Sequence, residues 1–400
     1  MAKSKKSKWL KYRHRIVRNL AYLVLYPYSR IVYGLKVDKL GEKNERQYLV
    51  VLNHQTPFDQ FFVGMAFKRT IYYLATEDIF SKGFLSVLIK FLVAPIPIKK
   101  QTTDIKAVLT CMRVAKEGGT IALAPEGNRT YSGRTEYMNP AIVSLVKKLG
   151  LPLAIYRLEG GYGVQPRWSD VVRGGGMHGY VSKVVEPEEY LAMSDDELYE
   201  LIKTELAVNE DCVCGEYPHK KRAEYLERCI YVCPFCGLSR FHSHRHTFKC
   251  CNCGKELEYT VTKELKGIGY DHPFRFVSQW YDYQEEFINS LDPREYTQQP
   301  IYTETATFSE VILYKKKHVL KKNAQILLYG DKIIAHDTVL NFDEATNVTV
   351  LGKNKLNIYH GGKVYQLKGD KRFNSLKFMH FYFRYKNLTS GDADDKFLGL

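Results

Sequence analysis

The sequence predicts an α/β domain with a central mixed sheet flanked by helices, followed by a cysteine-knuckle ribbon and a small antiparallel β-barrel. Three observations predict it. Short apolar runs alternate with helical patterns from about Val37 to Val208, two C-x-x-C-G knuckles begin at Cys233 and Cys250, and a period-two pattern runs from Thr305 to Leu367. The chain has 400 residues and a mass of 46.4 kDa, which calls for two or three domains. Hydrophobic residues make up 45% and aromatic residues 13%, enough for packed cores and inconsistent with a mainly disordered chain. Lys+Arg 59 against Asp+Glu 44 gives +15 and a pI near 9.2. That balance favours an anionic partner: nucleic acid, anionic lipid head groups or a phosphorylated substrate.

Residues 1–36 carry no acid; the first is Asp38. Trp9, Leu10, Ile16, Val17, Leu20 and Val24 fall near helical spacing, with Lys8, Lys11, Arg15 and Arg18 on another stripe. A basic face beside an aromatic and aliphatic one is what a helix lying on an anionic leaflet requires, the alternative being a helix packed on its own domain. Pro27 is expected to bend or end this helix. The longest uncharged apolar stretch here, residues 19–29, is far short of the roughly 20 residues a spanning helix needs, so a polytopic membrane protein is excluded. Tyr26-Pro-Tyr-Ser-Arg30 offers no small-residue cleavage site, so export is not expected.

Residues 37–210 form the α/β region. Residues 48–52, Tyr-Leu-Val-Val-Leu, read as a buried strand, 58–67 as helix, 71–75 as strand and 84–92 as helix. A short strand at 94–98 lies among prolines, and a helix at 104–117 is closed by Gly118-Gly119. Then come a strand at 121–124, a helix at 140–149 ending at Gly150, a strand at 153–157 and a final helix at 188–206.

Eight of the nine cysteines lie between Cys212 and Cys253. Cys233-Pro-Phe-Cys236-Gly and Cys250-Cys-Asn-Cys253-Gly254, separated by a short loop, read as a four-thiolate zinc ribbon over residues 211–262, with Cys233, Cys236, Cys250 and Cys253 as ligands. One compact cluster in a long chain does not resemble a disulfide scaffold, and thiolates imply a reducing compartment. Cys251 is a spare, and Cys212, Cys214 and Cys229 have no assigned role. Residues 263–300 are aromatic, weakly patterned and read as a linker. Residues 301–388 alternate with turn signals at Gly330-Asp331, Gly352-Lys353 and Gly361-Gly362 and close with an apolar helix at 376–385. Antiparallel strands capped by one helix point to a pleckstrin-homology-like barrel. Its cluster of Lys315, Lys316, Lys317, Lys321 and Lys322 reads as a solvated hairpin.

Asn53-His54-Gln55-Thr56-Pro57-Phe58-Asp59 directly follows the first buried strand. Thr56 suits an N-cap and Pro57 a first helical position, which puts Asp59 in the first helical turn, able to fold its carboxylate back onto the imidazole of His54. An imidazole with a carboxylate behind one nitrogen can take a proton from an alcohol with the other. Pro125-Glu126-Gly127-Asn128-Arg129 leaves another buried strand, and that edge of an α/β sheet is where ligands bind. Arg129 offers a fork suited to phosphate, and Gly127 permits close backbone approach. Pro95-Ile96-Pro97-Ile98-Lys99 brings a cation to the end of a third strand.

In this order the motifs resemble those of glycerophospholipid acyltransferases of the 1-acylglycerol-3-phosphate O-acyltransferase family. The resemblance covers about residues 48–185 and includes the apolar strand Leu151-Pro-Leu-Ala-Ile155. It implies that residues 37–210 are an acyltransferase domain, with His54 as general base, Asp59 as its partner, and Lys99, Glu126, Gly127 and Arg129 binding the acceptor's glycerol phosphate. Asn128 stands where members usually have Thr, Lys99 where Arg is common, and Asn139-Pro140 where Lys-Gly is usual; the last of these alters a loop near the acceptor. The implied activity is acyl transfer from acyl-CoA or acyl carrier protein to the free hydroxyl of 1-acylglycerol-3-phosphate, giving phosphatidic acid at the cytoplasmic face of a membrane as a peripheral protein. A different glycerolipid acceptor is the nearest alternative. A zinc-ribbon nucleic-acid-binding protein would explain the charge and the ribbon but not the strand-end motifs, so no nucleic-acid partner is expected.

Overall fold

The computed structural model describes residues 8–41, 45–76, 79–80, 83–98, 104–312 and 317–389. The chain divides into two compact units. The first comprises Met1–Arg129, Met138–Gly161 and Gly176–Val208; the second comprises Thr130–Tyr137, Tyr162–Gly175 and Asn209–Leu400. The division therefore departs from a single boundary near residue 210. Tyr131 and Trp168, 3% and 0% exposed, belong to the apolar core of the second unit, so their segments go with that core.

The first unit opens with α1 (Tyr12–Tyr33), which runs through Pro27 instead of ending there. Leu23 and Pro27 both lie on the exposed side, so the carbonyl that Pro27 cannot serve is left toward water, and Ser29 Oγ donates to Leu25 O at 2.6 Å in the same turn. Next come β1 (Leu35–Val37), β2 (Leu49–Leu52), α2 (Asp59–Ala66), β3 (Ile71–Thr76), α3 (Phe84–Val93), β4 (Ile96–Ile98), α4 (Ile105–Lys116) and β5 (Thr120–Leu123). They are followed by α5 (Ala141–Leu149), β6 (Leu153–Glu159), the single turn α6 (Gly161–Val164), β7 (Met177–Val185), α7 (Pro187–Leu191) and α8 (Asp195–Leu206).

The strands make one mixed sheet in the order β1-β7-β6-β2-β5-β3-β4, in which β6 and β7 are antiparallel and all other neighbours parallel. Every residue of β2 is buried, as a central parallel strand covered on both faces must be. The expected helix at 188–206 is two helices. Ser194 accepts from Glu197 N and Glu197 reaches back to Ser194 N, a capping box that starts α8 afresh. β1 and β7 went unanticipated; β7 carries Gly179 and Lys183 and mixes buried with half-buried positions, which blurs its period.

The second unit contains the two-stranded β8 (Val232–Cys233) and β9 (Gly237–Leu238) and an antiparallel sheet of β10 (Phe241–His244), β11 (Thr247–Cys250), β12 (Glu256–Tyr259) and β13 (Leu265–Gly267). Residues 263–300 are not a linker: they supply β13 and α9 (Val277–Ser290). Trp280 donates from Nε1 to Val232 O at 2.8 Å, and Gln284 Oε1 accepts from Tyr231 N at 2.7 Å. The aromatic residues that hid the helical period are core residues of this unit.

A seven-stranded antiparallel sheet follows, built from β14 (Tyr302–Glu310), β15 (His318–Leu328), β16 (Lys332–Ala335), β17 (Thr338–Asn341), β18 (Ala345–Leu351), β19 (Lys355–His360) and β20 (Lys363–Gly369). Its order is β17-β16-β15-β14-β20-β19-β18, so the two outermost strands are consecutive in the chain and the sheet is nearly closed. The apolar helix α10 (Leu376–Thr389) buries Leu376, Phe378, Phe381 and Tyr382. Lys321 and Lys322 are exposed on β15 and Lys317 donates to Gln366 Oε1 at 2.7 Å, while Lys315 and Lys316 lie outside the described residues.

Candidate active site

β2, β5, β3 and β4 run parallel, so their carboxyl ends share one edge of the sheet. β2 and β5 are neighbours, with Val51 opposite Leu123, and the two strongest motifs leave from these adjacent ends. Asn53 fixes the exit of β2: its side chain donates to Leu158 O at 2.8 Å and accepts from Leu158 N at 2.7 Å. The residue after it is His54.

Asp59 is the first residue of α2 and 1% exposed. The helix begins two residues later than the Thr56 N-cap reading required; Phe58 holds the N-cap position without a side-chain bond. Thr56 instead turns its hydroxyl to the carboxylate, donating to Asp59 Oδ1 at 2.6 Å. Backbone N–H groups of Gln55 and Thr56 donate to the same carboxylate at 2.7 to 3.0 Å. Against Oδ2 lies His54 Nδ1 at 2.8 Å. With these donors on it, the Asp59 carboxylate meets His54 Nδ1 as an acceptor, which favours the His54 tautomer with its proton on Nδ1 and leaves Nε2 as the acceptor nitrogen.

The second motif meets the first through its acid. Glu126, 4% exposed, accepts from the His54 backbone N–H at 2.8 Å. That bond ties Glu126 to the loop that carries the imidazole. Gly127 has φ +67 and its N–H bonds Ala124 O at 3.1 Å, a left-handed turn that a side chain would strain. Arg129 is half-buried. Burial pushes the Tyr33 hydroxyl well above its ordinary pKa; the Asp59 carboxylate adds to the shift and the Arg129 guanidinium opposes it. Both charges are thus within electrostatic reach of one phenol, whose ring packs edge-on against Phe58 and Phe62 at 5.7 and 5.4 Å. Lys99 lies outside the described residues; β4, which leads to it, ends at Ile98 on the same sheet edge. Tyr33 and Asn53 were missed by sequence reasoning, and only Asn53 carried a signal, as the neighbour of His54.

The second unit brings the sulfurs of Cys233, Cys236, Cys250 and Cys253 within 4.8 Å of one another. Cys233 Sγ and Cys253 Sγ are 3.7 Å apart, and Cys236 Sγ and Cys250 Sγ 3.6 Å. Four thiolates at about 2.3 Å from a tetrahedral zinc stand about 3.8 Å from each other, whereas a disulfide needs about 2.05 Å. The geometry fits a four-coordinate metal and excludes pairing among these thiols. Gly237 and Gly254, both at positive φ, turn the chain after each knuckle. Cys229 is buried in the core, and Cys212, Cys214 and Cys251 are exposed outside the cluster.

Residues 35–156 match the family model described as Acyltransferase, a stretch that contains His54, Asp59 and the Glu126–Arg129 turn. A chloroplastic 1-acyl-sn-glycerol-3-phosphate acyltransferase of Brassica napus is 22% identical over 190 residues, covering 46% of this chain and 52% of that protein. The chain thus spans about half the length of this curated relative. The crystal structure of the 1-acyl-sn-glycerophosphate acyltransferase PlsC from Thermotoga maritima aligns with 48% of this chain and 74% of its own, at 20% identity and a TM-score of 0.38. By the family model and the curated relative, residues 35–156 are similar to an acyltransferase domain.

Proposed function

We propose that the protein is an O-acyltransferase that esterifies the free hydroxyl of 1-acylglycerol-3-phosphate to give phosphatidic acid. The observation that carries this reading is the His54–Asp59 pair at 2.8 Å, on a loop tied to the Glu126–Arg129 turn. His54 Nε2 takes the hydroxyl proton, and Asp59 stabilises the imidazolium that forms. The alkoxide oxygen attacks the thioester carbonyl of acyl-CoA or an acyl-carrier-protein thioester; the C–S bond breaks, and the thiolate leaves with the proton returned from His54. Arg129, with Lys99, binds the acceptor phosphate, and Gly127 gives the backbone room to approach it. Neither a cysteine nor a serine nucleophile is required.

The cysteine cluster is read as a structural zinc site, its four thiolates saturating the metal and leaving no open position for chemistry. The nearly closed seven-stranded sheet capped by α10 supports a pleckstrin-homology-like reading of residues 301–388. The protein is read as peripheral at the cytoplasmic face of an anionic membrane, through the acid-free segment that contains α1. Among the described residues no helix is long and apolar enough to cross a membrane.

The test is mass spectrometry of products formed by the purified protein from a panel of lysolipid acceptors, glycerol-3-phosphate, acyl-CoA and acyl-carrier-protein donors. Formation of phosphatidic acid from 1-acylglycerol-3-phosphate is expected. Turnover only with another acceptor would move the substrate assignment, and no turnover with any acceptor would remove the enzymatic one.

A further inference from the structure

Helix α3 is built the wrong way round for a protein helix in water. Its sequence, Phe-Leu-Ser-Val-Leu-Ile-Lys-Phe-Leu-Val, has eight apolar residues of ten, and the one residue it buries is Ser86, whose hydroxyl donates to Ile79 O at 2.7 Å. Phe84 is 81% exposed and Val87 64%, with Leu85, Leu88, Phe91 and Val93 exposed beside them. A core helix does the reverse, burying its apolar stripe and showing its polar one. Contiguous exposed apolar area of this kind marks a surface that something covers.

The neighbours of α3 say what covers it. Its carboxyl end is held by the acid-free N-terminal segment: Trp9 Nε1 donates to Ala94 O at 3.1 Å, Arg13 Nε donates to Phe91 O at 2.8 Å, and the Arg13 guanidinium lies 4.0 Å from the centre of the Phe91 ring. A Trp and an Arg at one end of an apolar helix are the anchors found at the level of lipid head groups. Lys8, Arg15 and Lys90 are exposed close by in sequence, residues 8–37 contain no acid, and the Glu117 carboxylate that accepts from Leu10 N is paired with Arg113. The outer side of α1 adds Ile16, Leu20, Leu23, Val24 and Ile31 to the exposed apolar area. Ten residues of helix extend about 15 Å, half of a hydrocarbon core about 30 Å thick.

We infer that α3 is a membrane-insertion element: its Phe84–Leu88 end enters the acyl region of one leaflet of an anionic bilayer, while Trp9 and Arg13 stay at the head groups. The inference rests on the peripheral-membrane reading above and deepens it. That reading assigned the contact to α1 alone, as a flat basic helix, whereas the inverted polarity of α3 makes α3 the part that enters the lipid.

The experiment is co-sedimentation of the full-length protein with vesicles of phosphatidylglycerol and phosphatidylcholine, beside vesicles of phosphatidylcholine alone. Wild-type protein is expected to prefer the anionic vesicles. Phe84→Asp with Val87→Asp is expected to lose at least tenfold in partition while keeping the wild-type melting temperature, and Phe84→Leu with Val87→Leu to bind as wild type. A doubly charged variant that sediments like wild type would overturn insertion by α3 and leave the enzymatic reading standing. Failure of the wild type to bind either vesicle would remove the membrane reading itself. In unsubstituted protein, part of the tryptophan emission should be quenched by lipids carrying a nitroxide near the head group, Trp168 and Trp280 being buried; no quenching would again count against the proposal. Sedimentation velocity covers the remaining occupant: a wild-type dimer that the charged pair dissociates, with vesicle binding unchanged, would assign the surface to a second copy of the chain.

Discussion

The backbone N–H of His54 donates to the Glu126 carboxylate at 2.8 Å, which ties together the carboxyl ends of β2 and β5. Two motifs that are 72 residues apart in the chain become one rigid corner. Removing a buried acceptor from a donor costs about 1–3 kcal/mol. Glu126→Ala is therefore expected to lower kcat by roughly ten- to a hundredfold with little change in acceptor KM, and Glu126→Gln, which keeps an oxygen in place, to retain most activity. A Glu126→Ala enzyme whose defect lies wholly in acceptor KM would return Glu126 to the phosphate site. Steady-state kinetics with varied acceptor decides it.

His54→Ala removes the proposed base and should reduce turnover by roughly 10²- to 10⁴-fold, with circular dichroism unchanged. Asp59→Asn should lower kcat in the same direction, because an amide has one acceptor oxygen where the carboxylate uses two, turns an NH2 toward one set of donors, and carries no charge to stabilise the imidazolium. Wild-type rates from pure His54→Ala protein would sink the mechanism.

Arg129→Ala should act mainly through acceptor KM, raising it about tenfold or more, since a charge-assisted hydrogen bond is worth about 1.5–3 kcal/mol. Donor KM should stay constant. Arg129→Lys keeps the charge without the fork and should fall between the two. An acceptor response identical to wild type would show that the phosphate is held elsewhere.

The sulfur spacing predicts about one zinc per chain in protein purified under reducing conditions. Cys236→Ser should lower the metal content and destabilise the second unit, because metal binding at such a site is coupled to folding. Metal analysis and thermal unfolding with and without chelator measure both. Full-length wild-type protein with far less than one metal per chain would exclude the ribbon.

His380 is fully buried, accepts or donates at Nδ1 to the Tyr231 hydroxyl at 2.6 Å, and has its pKa lowered from 6.5 to about 3 by burial. A depressed histidine stays neutral in the folded chain while the unfolded chain takes up a proton below 6.5. Stability from this residue is thus complete above about pH 6.5 and is lost as pH falls toward 3, with a limiting slope of about 1.4 kcal/mol per pH unit. Urea unfolding at pH 7.5, 6 and 5 should reveal the loss. His380→Gln, less stable at pH 7.5, should show a flatter profile; equal slopes would exclude the assignment.

Much of this architecture is legible in the chain because its determinants are local. Tyr48-Leu-Val-Val-Leu52 announces a central strand, and the residues at its exit announce a loop with a histidine and an acid, so His54 and Asp59 can be named without coordinates. The role of Glu126 cannot: its partner is the backbone of residue 54, and only the β2–β5 register brings the two together. Residues 263–300 misled because Trp280, Tyr281 and the aromatic residues around them are buried without a clean period. Helix α3 is readable as a helix but not as an exposed one, since an apolar stretch of ten looks the same whether protein or lipid will cover it.

Thr130–Tyr137 and Tyr162–Gly175 sit early in the chain yet fold with the residues that follow Val208. An expression clone stopped at that valine would keep His54 and Arg129 but strand Tyr131 and Trp168 without the side chains that surround them. Protein made that way would aggregate through those two aromatic residues, and an inactive preparation would report on the cut and not on the chemistry. The cysteine-bearing unit, for the same reason, is not a detachable tail: its core includes Tyr131 and Trp168, which precede Val208 in the chain.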